Sequence, residues 1–185
     1  MTYYGSKELA ASFRTVRNNT IKIAEEIPEE KYGFRPTPES RSVAETLIHI
    51  AIGVRLQQQI HFTEQRTTLV GFDFFGFMGA ILAAEQKPRT KAEIIELLKT
   101  EGEKYAAQLE ACTEEILGQT VQYPEGMVPP AKSRFEMLMS SKEHEMHHRG
   151  QLMLVERMLG ITPHLTRHMQ ERVAAMAAAA AAQKA

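Results

Sequence analysis

Side chains suited to a protein core recur at helical spacing along this chain of 185 residues. In the first segment they are three or four residues apart, and Pro28 follows the last of them: Leu9, Phe13, Val16, Thr20, Ile23 and Ile27. This spacing places them on one face of an amphipathic helix, which the proline ends. No segment alternates apolar and polar residues long enough to predict a strand. The predicted fold class is therefore all-α.

Three hydroxyl residues, each followed three positions later by glutamate, mark where further helices begin. The pairs are Ser42 with Glu45, Thr90 with Glu93, and Ser133 with Glu136. In such a capping box the hydroxyl and the carboxylate each accept a hydrogen bond from a free amide of the first turn. The predicted helices span about residues 42–65, 90–113 and 133–159, and Gly160 ends the last one. Four long amphipathic helices predict a four-helix bundle.

The segments between these helices predict loops. Residues 28–41 and 118–132 are rich in proline and polar side chains. The stretch 67–84 is long enough to be considered as a membrane span, but it contains Asp73 and three glycines and lacks a basic flank, so a loop is expected. We assign residues 1–165 to the bundle domain and residues 166–185 to an alanine-rich tail, either helical or frayed.

Two histidines occupy the core face of the last predicted helix. Seven residues share that face at helical spacing: Met137, Ser141, His144, His148, Leu152, Val155 and Leu159. An imidazole buried without a partner costs a few kcal/mol. A metal ion removes that cost, because two neutral imidazoles at positions i and i+4 can bind one ion. The pattern therefore predicts a metal site.

A third ligand has to come from elsewhere in the chain, and five other histidines are available: His49, His61, His147, His164 and His168. His49 lies in an apolar stretch of the second helix, where Gly53 leaves room one turn further on. We expect His61 at the surface, His147 at the rim of the site, and His164 and His168 exposed. The predicted metal ligands are His49, His144 and His148. Gln151 lies where it can orient one of them.

Three neutral imidazoles leave coordination positions open to water or substrate, as catalytic metal sites do. Such an ion can acidify a bound water or hold a thiolate, but the ligand set does not identify the metal. Phe74 and Phe77 belong to a glycine-rich and phenylalanine-rich segment, residues 71–78, that is expected to be a loop which either covers this pocket or packs over a small satellite core.

A competing interpretation is a zinc peptidase, because residues 144–148 match the H-E-x-x-H pattern. Glu145 would then be the general base, and Glu171 would be the nearest downstream ligand. Glu145 lies about 100° from His144, as it does in any such helix, but this helix is core to its bundle, and the chain lacks a recognisable strand-bearing N-terminal half for docking an extended peptide. The peptidase is therefore the less favoured alternative, and no catalytic residue is predicted.

Several motifs together resemble the DinB/YfiT-like family across about residues 8–165. The motifs are SVAETLIHIA (42–51), EHEMHHRGQL (143–152), the loop IPEEKYGFRPTPESRS (27–42) and the helix end RMLGITP. The resemblance implies a four-helix bundle and one divalent metal ion, often nickel or zinc, with iron, manganese or cobalt as further candidates. The family's ligands match His49, His144 and His148 here. Characterised members include thiol-dependent S-transferases and a mycothiol-dependent isomerase, so a low-molecular-weight thiol is a candidate cofactor.

These observations lead us to expect a metal-dependent enzyme that acts on a small molecule, either a hydrolase or a transferase that moves a thiol. The alternative from another class is a stress-related protein that binds metal without turnover. The 22 Lys and Arg residues nearly balance the 23 Asp and Glu residues, so no nucleic-acid or membrane partner is expected.

Location and assembly are predicted from two smaller features. The single cysteine, Cys112, has no partner for an internal disulfide, and residues 1–11 lack an apolar leader, so a cytoplasmic location is expected. Met139, Met146 and Met153 recur every seven residues on the face away from the ligands. This repeat predicts a packing seam in a homodimer.

Overall fold

The computed structural model describes residues 4–183, and most of them are helical. The elements in chain order are α1 (Ser6–Glu26), α2 (Val43–Gln58), α3 (Phe74–Glu85), α4 (Lys91–Glu110), α5 (Glu114–Gly118), β1 (Thr120–Gln122), β2 (Ala131–Ser133), α6 (Arg134–Met158) and α7 (His164–Ala182). Among residues 4–183, no helix has both the length and the apolar character needed to cross a membrane.

The four long helices α1, α2, α4 and α6 form the predicted bundle. Both α4 and α6 pack against α1 and against α2. Completely buried aliphatic and aromatic side chains such as Phe13, Leu47, Leu98 and Tyr105 fill the space between them. The contact between α2 and α6 matters most for function, because it brings the predicted ligands of these two helices to one interface.

Local hydrogen bonds explain where these helices begin. Both reciprocal bonds are present in the capping boxes that start at Ser42 and Thr90. At the third predicted box, Ser133 Oγ accepts from the Glu136 amide at 3.1 Å, but the Glu136 carboxylate pairs with Lys132 at 2.8 Å instead. The start of α6 is therefore predicted correctly, while its capping box is only half formed.

Helix α6 ends at the predicted glycine. Gly160 has a φ of +79°, in the left-handed region that glycine adopts without steric cost. Its amide donates to the Arg157 carbonyl at 3.0 Å, and the Ile161 amide donates to the Glu156 carbonyl at 2.8 Å. These two bonds form a Schellman motif, which closes the last turn.

Three predictions about the connecting segments are wrong. Residues 74–78 are not a loop, because α3 begins at Phe74, where Asp73 Oδ1 accepts from the Gly76 amide at 2.9 Å. The predicted loop 118–132 contains β1 and β2, a pair of antiparallel strands too short to show alternation. The second helix does not run on as an α-helix to residue 65, since it continues as a π-helical turn at Gln59–Thr63.

Helix α7 begins within the predicted bundle domain and leaves it. Its first residue, His164, is buried, whereas every residue from 168 to 183 is exposed. The predicted domain division at residue 165 stays a prediction. The homodimer also stays a prediction. Met139 and Met153 are partly buried against the chain's own core, and Met146 is 44% exposed.

Candidate metal centre

The three predicted ligands converge where α2 faces α6. His49 Nε2 lies 3.0 Å from His144 Nε2, which lies 3.2 Å from His148 Nε2. Each residue offers a nitrogen within 4.8 Å of the others. Nitrogens that bind one ion at 2.0–2.1 Å are separated from each other by roughly 3.0–3.4 Å. Two of the three separations therefore match those around a single ion, and the third nitrogen pair lies within 4.8 Å.

A buried carboxylate holds His49 from the side away from the cluster. His49 Nδ1 lies 2.6 Å from Oε1 of Glu85, which is 4% exposed. Arg41 Nε donates to the other Glu85 oxygen at 3.2 Å. A carboxylate accepts from Nδ1–H, so in the neutral form of His49 the lone pair is on Nε2, which faces the cluster. Such a carboxylate–histidine pair is common behind metal ligands.

Gln151 supports His148 in the way that Glu85 supports His49, through a side-chain oxygen next to Nδ1. Its Oε1 lies 2.8 Å from His148 Nδ1, and its Nε2 lies 3.2 Å from His147 Nε2. Because an amide oxygen only accepts, Nδ1 of His148 carries the proton and its Nε2 does not. The predicted orienting role of Gln151 therefore agrees with its contacts.

With the imidazoles neutral, the cluster has fewer N–H groups than its nitrogen–nitrogen contacts need. Two Nε2 lone pairs, those of His49 and His148, face the Nε2 of His144. That atom carries at most one proton, so it satisfies at most one neighbour. A cation at the centre would be bound by all three lone pairs. The donor set thus fits a metal ion better than it fits a hydrogen-bonded histidine cluster.

Two of the three imidazoles, those of exposed His144 and buried His148, are held neutral by their surroundings. Desolvation, followed by the charges of His148 and His49, lowers the pKa of His144 to about 4. Desolvation also lowers the pKa of His148. Gly53 lies against His144, because a Cβ at this position would be in van der Waals contact with the ring carbon Cε1, 3.4 Å away. The predicted space beside Gly53 is therefore filled by an imidazole of α6.

Two other predictions about histidines are wrong. His61 is buried, not at the surface, and its Nδ1 accepts from Arg134 at 2.9 Å. His164 is buried as well, and its Nε2 lies 3.1 Å from the side-chain oxygen of Asn19. Both rings face inward because of local turns in the chain, a π-helical turn for the first and the start of α7 for the second. His147 and His168 are exposed, as expected.

The glutamate of the H-E-x-x-H pattern does not face the cluster. Glu145 is 1% exposed, and both of its oxygens accept from Arg17, with N–O distances of 2.9–3.0 Å. A carboxylate held in a buried ion pair is a poor general base. Glu171, the other residue of the peptidase interpretation, is exposed on α7. The geometry thus argues against a peptidase.

Two cavities open beside the histidines, and α3 lies over both. The larger cavity, about 840 Å³, reaches His148, and the smaller, about 320 Å³, reaches His49 and His144. Neither Phe74 nor Phe77 lines them. The prediction that phenylalanines cover the site is therefore wrong.

Sequence reasoning also missed Glu85, which supports His49. Because the sequence predicts a loop for this segment, Glu85 is not placed on any helix face. The overlooked signal is the spacing of Met78, Ile81 and Glu85 by three and four residues, which places them on one side of a helix. All three lie next to the histidine cluster.

The fold and the site together define a mostly helical bundle protein with three histidines converging between two of its helices. The DinB family model matches residues 1–179, and the chain belongs to the DinB family. It is 27% identical over 161 residues to the protein YjoA of Bacillus subtilis (strain 168), covering 85% of this chain and 92% of YjoA. The crystal structure of the DinB-like protein YjoA matches with a TM-score of 0.62 at 26% identity, covering 84% of this chain and 94% of that one. The family resemblance read from the motifs is confirmed.

Proposed function

We propose that this protein is a metal-dependent enzyme that acts on a small molecule, with one divalent ion held by His49, His144 and His148. The observation that carries the proposal is the convergence of three Nε2 atoms with too few protons to satisfy one another. Nickel and zinc are the leading candidates, and cobalt, iron and manganese follow in order of decreasing affinity for such a site. When bound, the ion would supply Lewis acidity to a water or thiolate in an open position.

The chain's own residues would prepare the site for this chemistry. Glu85 and Gln151 fix which nitrogen of His49 and His148 is protonated, so that each Nε2 is free to bind. The lowered pKa values of His144 and His148 keep these two ligands neutral near pH 7, so a cation would not have to displace protons from them. Glu145, which follows His144 in the sequence, takes no part because it is paired with Arg17.

Two cavities on different sides of the cluster favour transfer between two organic molecules over hydrolysis. Water needs no cavity of its own, whereas a thiol and an electrophile each need space beside the ion. His148 borders one cavity, and His49 and His144 border the other. A transferase that uses a low-molecular-weight thiol is thus the preferred form of the proposal, and a hydrolase is the second.

Metal analysis tests the metal centre itself. The purified protein is expected to retain about one divalent ion per chain after exhaustive dialysis. The variant His148→Ala should lose most of it, because only two ligands are left. His168→Ala is the matched control, since this histidine is exposed on α7 and outside the cluster. Equal metal content in both variants and the wild type would contradict the proposal.

Turnover separates the enzyme from a protein that binds metal without catalysis. The metal-loaded wild type and His148→Ala are compared with thiol plus an alkylating electrophile, and with model esters. Faster product formation by the wild type in the first assay supports a transferase, and in the second a hydrolase. Rates equal to those of His148→Ala in both assays would favour the non-catalytic alternative.

A further inference from the structure

Helix α3 divides the space beside the histidines into two chemically different cavities. Met78 and Ile81 face the smaller cavity, while Leu82 and Glu85 face the larger one. Among residues 4–183, the two cavities have no lining residue in common. Met78 and Leu82 are one helical turn apart, so neighbouring positions on one helix border different cavities.

The smaller cavity presents apolar walls. Its aliphatic residues come from α2 and α3: Ile50, Val54, Leu56, Met78 and Ile81. Apart from the two histidines and the amide nitrogen of Gln57, the polar side-chain groups that line it within residues 4–183 have protein partners. Gln57 lies 2.8 Å from His61 Nε2, Ser140 donates to the Met137 carbonyl at 2.6 Å, and Ser141 donates to the Tyr105 hydroxyl at 3.0 Å.

These contacts leave little in the smaller cavity to compensate a buried charge. Moving an ionised carboxylate out of water without a partner costs several kcal/mol, whereas an apolar group gains free energy on burial. The cavity should therefore select against charge.

The larger cavity has the opposite character. Charged side chains of both signs line it: Arg35, Glu39, Arg41, Glu45 and Glu85. Arg41 pairs with Glu85 through its Nε and is 40% exposed in its side chain, so the rest of its guanidinium can reach a ligand. Polar and charged parts of a ligand find partners here that the smaller cavity does not offer.

We propose that the smaller cavity binds an uncharged, apolar group of a reactant, with Met78 setting that preference, while the polar part of a reactant occupies the larger cavity. The part that the bound group plays in a reaction rests on the proposed function. The preference of the cavity itself depends only on the walls that α2 and α3 provide. The chemical class expected on the His49 side is therefore a small aryl or alkyl group without charge.

Metal-free protein and two probes of similar size test the cavity without any ion. Binding of benzyl alcohol and of benzoate is followed by amide and methyl chemical shifts of α3. Benzyl alcohol should bind about tenfold more tightly than benzoate, and it should show nuclear Overhauser contacts to the Met78 methyl group. Equal affinity for the two probes, or contacts confined to the larger cavity, would overturn the assignment.

A matched pair of variants tests the part played by Met78. Met78→Glu should weaken benzyl alcohol binding about tenfold, because it brings a charge into the apolar cavity. Leu82→Glu places the same charge one turn away beside the larger cavity, and it should change the affinity less than about twofold. Equal losses in both variants would contradict the proposal. The contacts to Met78 in the wild type provide an answer that does not depend on whether the variants fold.

Adding the metal distinguishes failure of this inference from failure of the proposed function. If the protein retains no ion while benzyl alcohol still binds at Met78, the proposed enzyme is wrong and the assignment of the cavity stands. If the ion binds at the three histidines and both probes bind equally, only the cavity assignment is wrong.

Discussion

Glu156 in α6 provides the sharpest test of the energetics of this fold. It is completely buried, and within residues 4–183 neither of its carboxylate oxygens has a hydrogen-bond partner. Burial and then the charge of Glu26 in α1 raise its pKa from 4.5 to about 7, against the opposing effect of Arg167 in α7 and Arg157. The carboxyl group therefore holds a proton in the folded protein at pH values where the unfolded chain has lost it.

The sign and size of the effect follow from this difference. Between about pH 4.5 and pH 7 the folded state binds more protons than the unfolded state, so stability falls as the pH rises. One pKa unit corresponds to about 1.4 kcal/mol, so the whole loss is on the order of 3 kcal/mol. This loss of stability is absent well below pH 4.5 and complete above pH 7.

Replacing Glu156 with glutamine removes the titration and keeps the shape of the side chain. Urea unfolding with a chelator present is measured for the wild type and Glu156→Gln at pH 5 and pH 8. Between these pH values the stability of the variant relative to the wild type should increase by about 2–3 kcal/mol. Any constant cost of burying the amide cancels in this comparison.

The control for this measurement is Glu171→Gln, which changes an exposed carboxylate on α7. Its stability should follow the wild type at both pH values. Parallel pH profiles for the wild type and Glu156→Gln would refute the reasoning, because they would show that Glu156 is no more protonated in the folded state than in the unfolded chain.

Three further predictions concern single contacts. Glu85→Gln should lower metal affinity about 10- to 100-fold, measured by competition with a chromophoric chelator, because His49 loses its carboxylate partner; unchanged affinity would contradict this. Arg17→Met should lower the free energy of unfolding in urea by about 3–5 kcal/mol, because Glu145 is left buried and unpaired; a loss below 1 kcal/mol would contradict it. Gly160→Ala should cost about 1 kcal/mol in thermal unfolding, since φ is +79° there, and a stabilised variant would show the reasoning to be wrong.

Features set by neighbouring residues could be predicted from the sequence. The starts of α2, α4 and α6 depend on a hydroxyl and an amide three residues apart, and the end of α6 depends on one glycine. His144 and His148 share a face because four residues make about one helical turn. The choice of His49 needed only the apolar stretch around it. The four-helix bundle could likewise be inferred from the helical spacing of core residues along the chain.

Only the tertiary structure decided which distant groups meet. Glu85 lies 36 residues from His49, and Arg17 lies 128 residues from Glu145, so no periodic pattern connects either pair. His61 was expected at the surface because its neighbours are polar, yet its ring is turned towards Arg134. Periodicity reports how a helix presents its own side chains. The partner on the facing helix depends on how the helices pack, and that packing determines which histidine nitrogens are free to bind a cation.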